Sequence, residues 1–242
     1  MSKYYRCLDG TNKIETKSGV GVVLPEGFAN LSAEVINQCS YLQSLIQTVI
    51  YAAHGPAFSA SKAILNKLSS PKKRMEFLRS FQYDPADPVV ATVFRFAQDL
   101  FSEIYDLRNV LAHEIWMSSK DFEQAVLFSD LQEDARRLTI SKRIEYDDEA
   151  TPEQTFDAII RYIGKIKLIQ LSDLMAARDD ANLCSWALMT IRQLLNETDP
   201  EKAQELRESF RLFRGTSHLF QGYVSVSDAI EVVSATKKTI GK

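Results

Sequence analysis

Residues 88–116 read PVVATVFRFAQDLFSEIYDLRNVLAHEIW, and the reading of this stretch decides the fold. Asp87 is placed to cap a helix that Pro88 opens, because proline at the first helical position gives up only an N–H that would lack a partner anyway. From there Val93, Ala97, Leu100, Ile104, Leu107 and Leu111 recur at steps of three and four. That spacing predicts an amphipathic helix continuing to about Trp116. An apolar stripe of this length needs other helices to cover it.

The chain supplies candidates. Val35, Cys39, Leu42, Ile46, Val49 and Ile50 repeat the same steps in a helix expected from Leu31 to Ala53, stopped by Gly55 and Pro56. A second helical region, about 59–81, is broken at Ser70–Pro71, which caps and reopens it. Thr151, Pro152 and Gln154 form a capping-box start for a helix that carries Ile159, Tyr162, Ile163, Ile166 and Ile169 and is expected to reach Ala177. Shorter helices follow at about 182–195, 200–213 and 228–238. The period changes at RRLTISKRIEYDDE, residues 136–149, where Leu138, Ile140, Ile144 and Tyr146 alternate with polar residues. With AVLFSD before it, this predicts a small β-hairpin at about 124–147. The expected fold class is mainly α. An antiparallel four-helix bundle over 29–178 carries the hairpin insertion, a β-leaning extension occupies 1–28, and a C-terminal helical extension occupies 179–242.

Composition narrows the function classes. The 242 residues are 45% hydrophobic and 25% charged, which is ordinary globular chemistry. A net charge of −3 argues against holding nucleic acid by bulk electrostatics and leaves a local basic site open. MSKYYRCLDG has no apolar run suited to a signal peptide, and LQSLIQTVIYAA is too short and too glutamine-broken to span a bilayer. No membrane partner is therefore expected. Cys7, Cys39 and Cys184 are widely separated and odd in number, matching neither a disulfide framework nor a zinc cluster. A cytoplasmic protein with no metal and no cofactor is the expectation. The GVG of KSGVGVV lacks the following glycine and the strand–helix context of a phosphate loop.

Within the long helix, Asp106, Asn109 and His113 return to one face. Arg108 and His113, five apart, diverge by roughly 140°. An arginine side chain can curl back part of the way. A second copy of the helix crossing near its own motif would assemble two such sets, which predicts a homodimer. The same residues also fit a surface arginine beside a histidine that caps or packs.

LRNVLAHEIW, residues 107–116, closely resembles the signature of the HEPN superfamily, the higher eukaryotes and prokaryotes nucleotide-binding domains. That signature is an arginine, a polar residue that is usually Asn, Asp or His, and a histidine four to six residues after the arginine. Arg108, Asn109 and His113 fill all three places. The resemblance extends to a helix beginning LSAEVINQCSYLQSLI, a broken second helix and the motif late in the third, over roughly residues 29–178. A tyrosine-containing ending found in one branch is missing, since Glu114 and Ile115 follow His113.

The resemblance implies a metal-independent endoribonuclease acting on RNA. Such proteins are often toxins or antiviral defence effectors, with an antitoxin or defence-system partner protein. The residue types suit the reaction, because RNA carries its own nucleophile in the 2′-hydroxyl. His113 would transfer a proton, with an imidazole that ordinarily titrates near ~6.5. Arg108 would neutralise phosphate charge through its fork of donors, and Asn109 would orient the phosphate or the imidazole. Asp106 is a candidate to fix the imidazole tautomer. Lys72, Lys73 and Arg74 are candidate RNA contacts, and Trp116 and Tyr105 are candidates to stack on a base. Two other classes fit the same sequence: a non-catalytic RNA- or partner-binding module of this family, and a helical interaction protein outside it.

Overall fold

A computed structural model of the chain describes residues 2–8, 16–18, 21–54, 63, 73, 76–78, 87–136, 139, 153, 160–213 and 215–220. Their order is β1 (Arg6–Cys7), β2 (Lys17–Ser18), α1 (Phe28–His54), α2 (Pro88–His113), β3 (Ile115–Ser118), β4 (Ala125–Ser129), β5 (Lys167–Gln170), α3 (Leu171–Asn196) and α4 (Pro200–Leu212). The protein is mainly helical, with an antiparallel sheet in the order β1-β5-β4-β3-β2. Two compact units emerge. One comprises residues 1–39 and 103–179, the other 40–102 and 180–242. Among the described residues no helix is long and apolar enough to cross a membrane.

The first unit holds the sheet. Its central strand β4 is buried at every position, so it reads as a continuous apolar run with no alternation. On one face Met117, Leu127 and Leu168 sit side by side and join Leu8, Ala125 and Ile166, covered by Phe122, Tyr162 and Ile163. On the other face Trp116 opposes Phe128. Phe28 meets both rings, edge-on to Trp116 at 5.8 Å and stacked on Phe128 at 6.4 Å. A tight turn aims Phe28 there. Its N–H donates to the Pro25 carbonyl at 3.1 Å, and Gly27 sits between them at φ 79°. A side chain at Gly27 would be strained in that left-handed conformation.

The second unit is helical. The Cys184 thiol lies 3.2 Å from the Ala97 carbonyl, and the Gln98 amide donates to the Leu78 carbonyl at 2.9 Å. Trp186 stacks on Phe213 at 3.9 Å and meets Phe210 edge-on. The cysteines Cys7, Cys39 and Cys184 are all free thiols.

α2 runs unbroken from Pro88 to His113, with the Asp87 carboxylate accepting from the N–H groups of Val89 and Val90, as the sequence predicts. Asp199 caps α4 in the same way. Four expectations need correction. The long helix stops at His113, because Ile115–Ser118 is taken into the sheet as β3. The hairpin expected at 124–147 does not form on β4, whose two edges are taken by β3 and β5, and most of its second arm lies outside the described residues. Residues 131–136 and 139 are helical instead. The Asp130 carboxylate accepts from the N–H groups of Gln132 and Glu133 and starts that helix directly after β4.

The helix expected to reach Ala177 gives way at Gly164 to β5, whose Leu168 joins Ile166, just before the strand, in the core. Finally, 182–195 is not a separate helix. Leu174, Ala177, Ala181, Cys184 and Leu188 form one fully buried stripe along an unbroken α3, with the polar residues of ARDDAN between them. β1 and β2, from the β-leaning first 28 residues, form the two edges of the sheet. Most of the expected broken helix at 59–81, much of 137–159, and the helix at 228–238 lie outside the described residues.

Candidate active site

The last turn of α2 carries the motif. A helix leaves its final carbonyls without intrahelical donors, and here the Trp116 indole N–H donates to the Leu111 carbonyl at 3.0 Å. With its ring edges against Phe28 and Phe128, Trp116 pins the end of the helix to the sheet. That anchoring fixes where Arg108, Asn109 and His113 can reach.

The three residues meet. Arg108 Nη1 lies 2.9 Å from His113 Nε2 and donates to Asn109 Oδ1 at 3.2 Å. Arg108 and Asn109 are half-buried, and His113 is exposed. The angular gap between positions 108 and 113 is closed by the length of the arginine side chain within a single chain. A guanidinium has no acceptor, so the contact requires an unprotonated Nε2, with the ring proton on Nδ1. Protonating Nε2 removes the acceptor and frees the guanidinium.

Beside the motif lies an open cleft of about 450 Å³, lined by Tyr5, Asp106, Asn109, Val110, His113, Glu114, Asp130, Leu131, Gln132 and Lys167. Tyr5 is held from both sides. Lys3 N–H donates to the Glu103 carboxylate at 3.1 Å, and Arg6 pairs with Leu168 in the sheet. The Lys167 ammonium lies 5.6 Å from the centre of the Tyr5 ring and forms an ion pair with Glu114. Burial pushes the Glu114 carboxyl above the ordinary glutamate range. The hydrogen bond and charge of Lys167 pull it back only in part, and Asp130 adds to the rise. Burial, followed by the negative charges of Asp106 and Glu114, raises the Tyr5 hydroxyl and keeps it a neutral donor.

The structure therefore brings together Arg108, Asn109 and His113, with Asp106 exposed in the cleft lining. Trp116 is engaged in packing. Lys73 is helical and exposed, while Lys72 and Arg74 lie outside the described residues. Tyr5, Glu114, Asp130 and Lys167 escaped the sequence reading. Glu114 was adjacent to the motif and could have been weighed. Tyr5 and Lys167 carry no local signal, since only strand pairing between β1 and β5 brings them to this cleft.

Set against family models, curated proteins and solved structures, the chain matches none. Its site is read from its own residues.

Proposed function

We propose that the protein is a metal-independent endoribonuclease of the HEPN type, with Arg108, Asn109 and His113 as its catalytic set. The observation that carries this reading is the contact of Arg108 Nη1 with both His113 Nε2 and Asn109 Oδ1 at the anchored end of α2. An imidazole whose Nε2 accepts from Arg108 and a guanidinium with spare donors stand side by side, half in solvent, and Nε2 becomes the base when Arg108 turns to the phosphate. In the proposed reaction the 2′-hydroxyl gives its proton to an acceptor and forms the O2′–P bond as the P–O5′ bond breaks. The departing O5′ takes up a proton. The products are a 2′,3′-cyclic phosphate and a 5′-hydroxyl, and no water is consumed.

His113 Nε2 serves as the proton-transfer group. Arg108 stabilises the charge gathering on the phosphoryl oxygens. Asn109 holds the guanidinium in place through its Oδ1. The HEPN-type four-helix bundle belongs to the same proposal, as does the toxin or defence role that the resemblance implies. A homodimer in this reading places two complete sites along one RNA, since Arg108 reaches His113 within one chain.

The test is incubation of the purified protein with mixed structured RNAs in excess chelator, followed by analysis of product ends. Cleavage leaving cyclic phosphates, and blocked by a 2′-deoxy substitution at the scissile nucleotide, is the expected result. Cleavage that needs added Mg²⁺, or that persists at the deoxy position, contradicts it. RNA binding without cleavage points to a non-catalytic module.

A further inference from the structure

The reaction described above leaves one proton without a source, the one that the departing O5′ takes up. In-line displacement puts the entering 2′-oxygen and the departing 5′-oxygen on opposite sides of phosphorus. An imidazole that has taken the 2′ proton on one side does not reach the oxygen leaving on the other. A second proton-transfer group has to come from another element of the fold. The cleft beside the motif offers few. Asp106 shares the His113 face of α2 and so stands with the base. Glu114 meets Lys167 through Oε1, and its Oε2 is buried. A proton given up by Lys167 would leave that carboxylate, only 10% exposed, without its counter-charge. Asp130 Oδ1 accepts the N–H groups of Gln132 and Glu133, and Asn109 and Gln132 carry amides. Tyr5 is the one hydroxyl in the described lining.

The sheet delivers that hydroxyl from a different direction. Tyr5 and Cys7 are two apart and so point to one face, and Cys7 is level with Lys167. Lys167 is level in turn with Phe128, whose ring meets the Trp116 that anchors α2. The phenol is thereby carried to the face of the sheet on which the motif ends, its ring centre 5.6 Å from the Lys167 ammonium. Among the described residues Tyr5 Oη makes no hydrogen bond. The buried side-chain N and O atoms that lack a partner are Gln38 Oε1 and Glu114 Oε2. Tyr5 Oη, unpartnered and not one of these, therefore keeps accessible surface on a half-buried residue. Burial, with the charges of Asp106 and Glu114, raises the hydroxyl, so its proton is in place at neutral pH.

We propose that Tyr5 is a further catalytic residue, the general acid whose hydroxyl gives its proton to O5′ as the P–O5′ bond breaks, while His113 holds the proton taken from the 2′-hydroxyl. The inference rests on the ribonuclease reading. Arg108 holds the phosphate beside the cleft, and only the leaving oxygen with its C5′ turns toward the lining. The departing alkoxide is far more basic than the phenolate that replaces it, so the transfer runs downhill. Between turnovers the Tyr5 phenolate regains a proton from solvent and His113 returns its own, which closes the balance with no water consumed.

The experiment compares two RNAs that differ at one mapped cleavage position, where the second carries sulfur in place of the bridging 5′-oxygen. A thiolate leaves without being protonated, so the sulfur substrate needs the base and not the acid. The full chain, Tyr5→Phe and His113→Ala are assayed on both in chelator, with the thermal midpoint of each recorded. Tyr5→Phe removes a hydroxyl that holds nothing in the fold and keeps the ring beside Lys167. It should cleave the oxygen substrate ~10²–10⁴-fold more slowly than the wild type, and the sulfur substrate as fast as the wild type does. His113→Ala should be slow on both. If Tyr5→Phe shifts the midpoint, Tyr5→Met, which fills similar space without a hydroxyl, must show the same pair of rates. Wild-type cleavage of the oxygen substrate by Tyr5→Phe overturns the acid and leaves the ribonuclease standing. Slow cleavage of both substrates by Tyr5→Phe and Tyr5→Met also overturns it, since a proton donor is not needed for sulfur. A wild type that cleaves neither RNA removes the ribonuclease, and the acid with it.

Discussion

The two ends of α2 use their polar residues in opposite ways. At the N-terminal end Asp87 Oδ1 accepts from the first-turn N–H groups of Val89 and Val90, and Oδ2 accepts from Arg207 Nε at 2.8 Å. Each oxygen closes a structural gap. At the C-terminal end Trp116 does the structural closing, while Arg108 and His113 face each other in partly open surroundings and Glu114 Oε2 faces no donor. One helix thus separates groups that the fold requires from groups that it does not. Departures from local consistency gather where function is expected.

The comparison can be broken by substitutions whose effects fall on stability at one end and on activity at the other. Phe94, fully buried in the N-terminal half, should give the largest effect: Phe94→Ala is expected to destabilise by about 3–5 kcal/mol in chemical denaturation. Arg108→Ala should do the reverse, lowering kcat/KM for RNA by ~10²–10³ while stability stays within ~0.5 kcal/mol. Arg108→Lys should recover only part of the loss, because an ammonium cannot present a planar fork. A large loss of stability on removing Arg108 would make it a structural residue and erase the contrast.

Asp87→Ala is expected to cost ~1–2 kcal/mol through the lost cap, with unchanged catalysis per folded molecule. The smallest effect concerns pH. Because burial raises the Glu114 carboxyl in the folded state, the native protein holds that proton more tightly than the unfolded chain does. Between the ordinary glutamate value and the raised folded one, this group's contribution to stability therefore falls as pH rises. Glu114→Gln should flatten that shallow slope, and an unchanged slope in denaturation midpoints would count against it.

Much of α2 was legible because cap, proline and apolar stripe all agree on one helix from residue 88. The sheet was not. β5 lies within a run of isoleucines whose spacing satisfies a helix as well as a strand, and only Gly164 breaks the tie. β3 follows the motif without a proline or glycine to mark the change. The expected hairpin on β4 failed because β3 and β5 already pair with both its edges, and neither pairing is marked locally in the sequence. At the site, the motif was readable since all three residues lie within six positions of one helix. Tyr5 and Lys167 were not, because they join the cleft through the pairing of strands about 160 residues apart in sequence.

The most direct measurement is the single-turnover rate of RNA cleavage in chelator by the wild type and by His113→Ala, with the thermal midpoint of each recorded. Loss of a proton-transfer group should lower the rate by ~10²–10⁴, while the two midpoints coincide. A His113→Ala protein that cleaves at the wild-type rate, or one that loses activity only because it unfolds, would contradict the assignment and leave the histidine as part of the helix end.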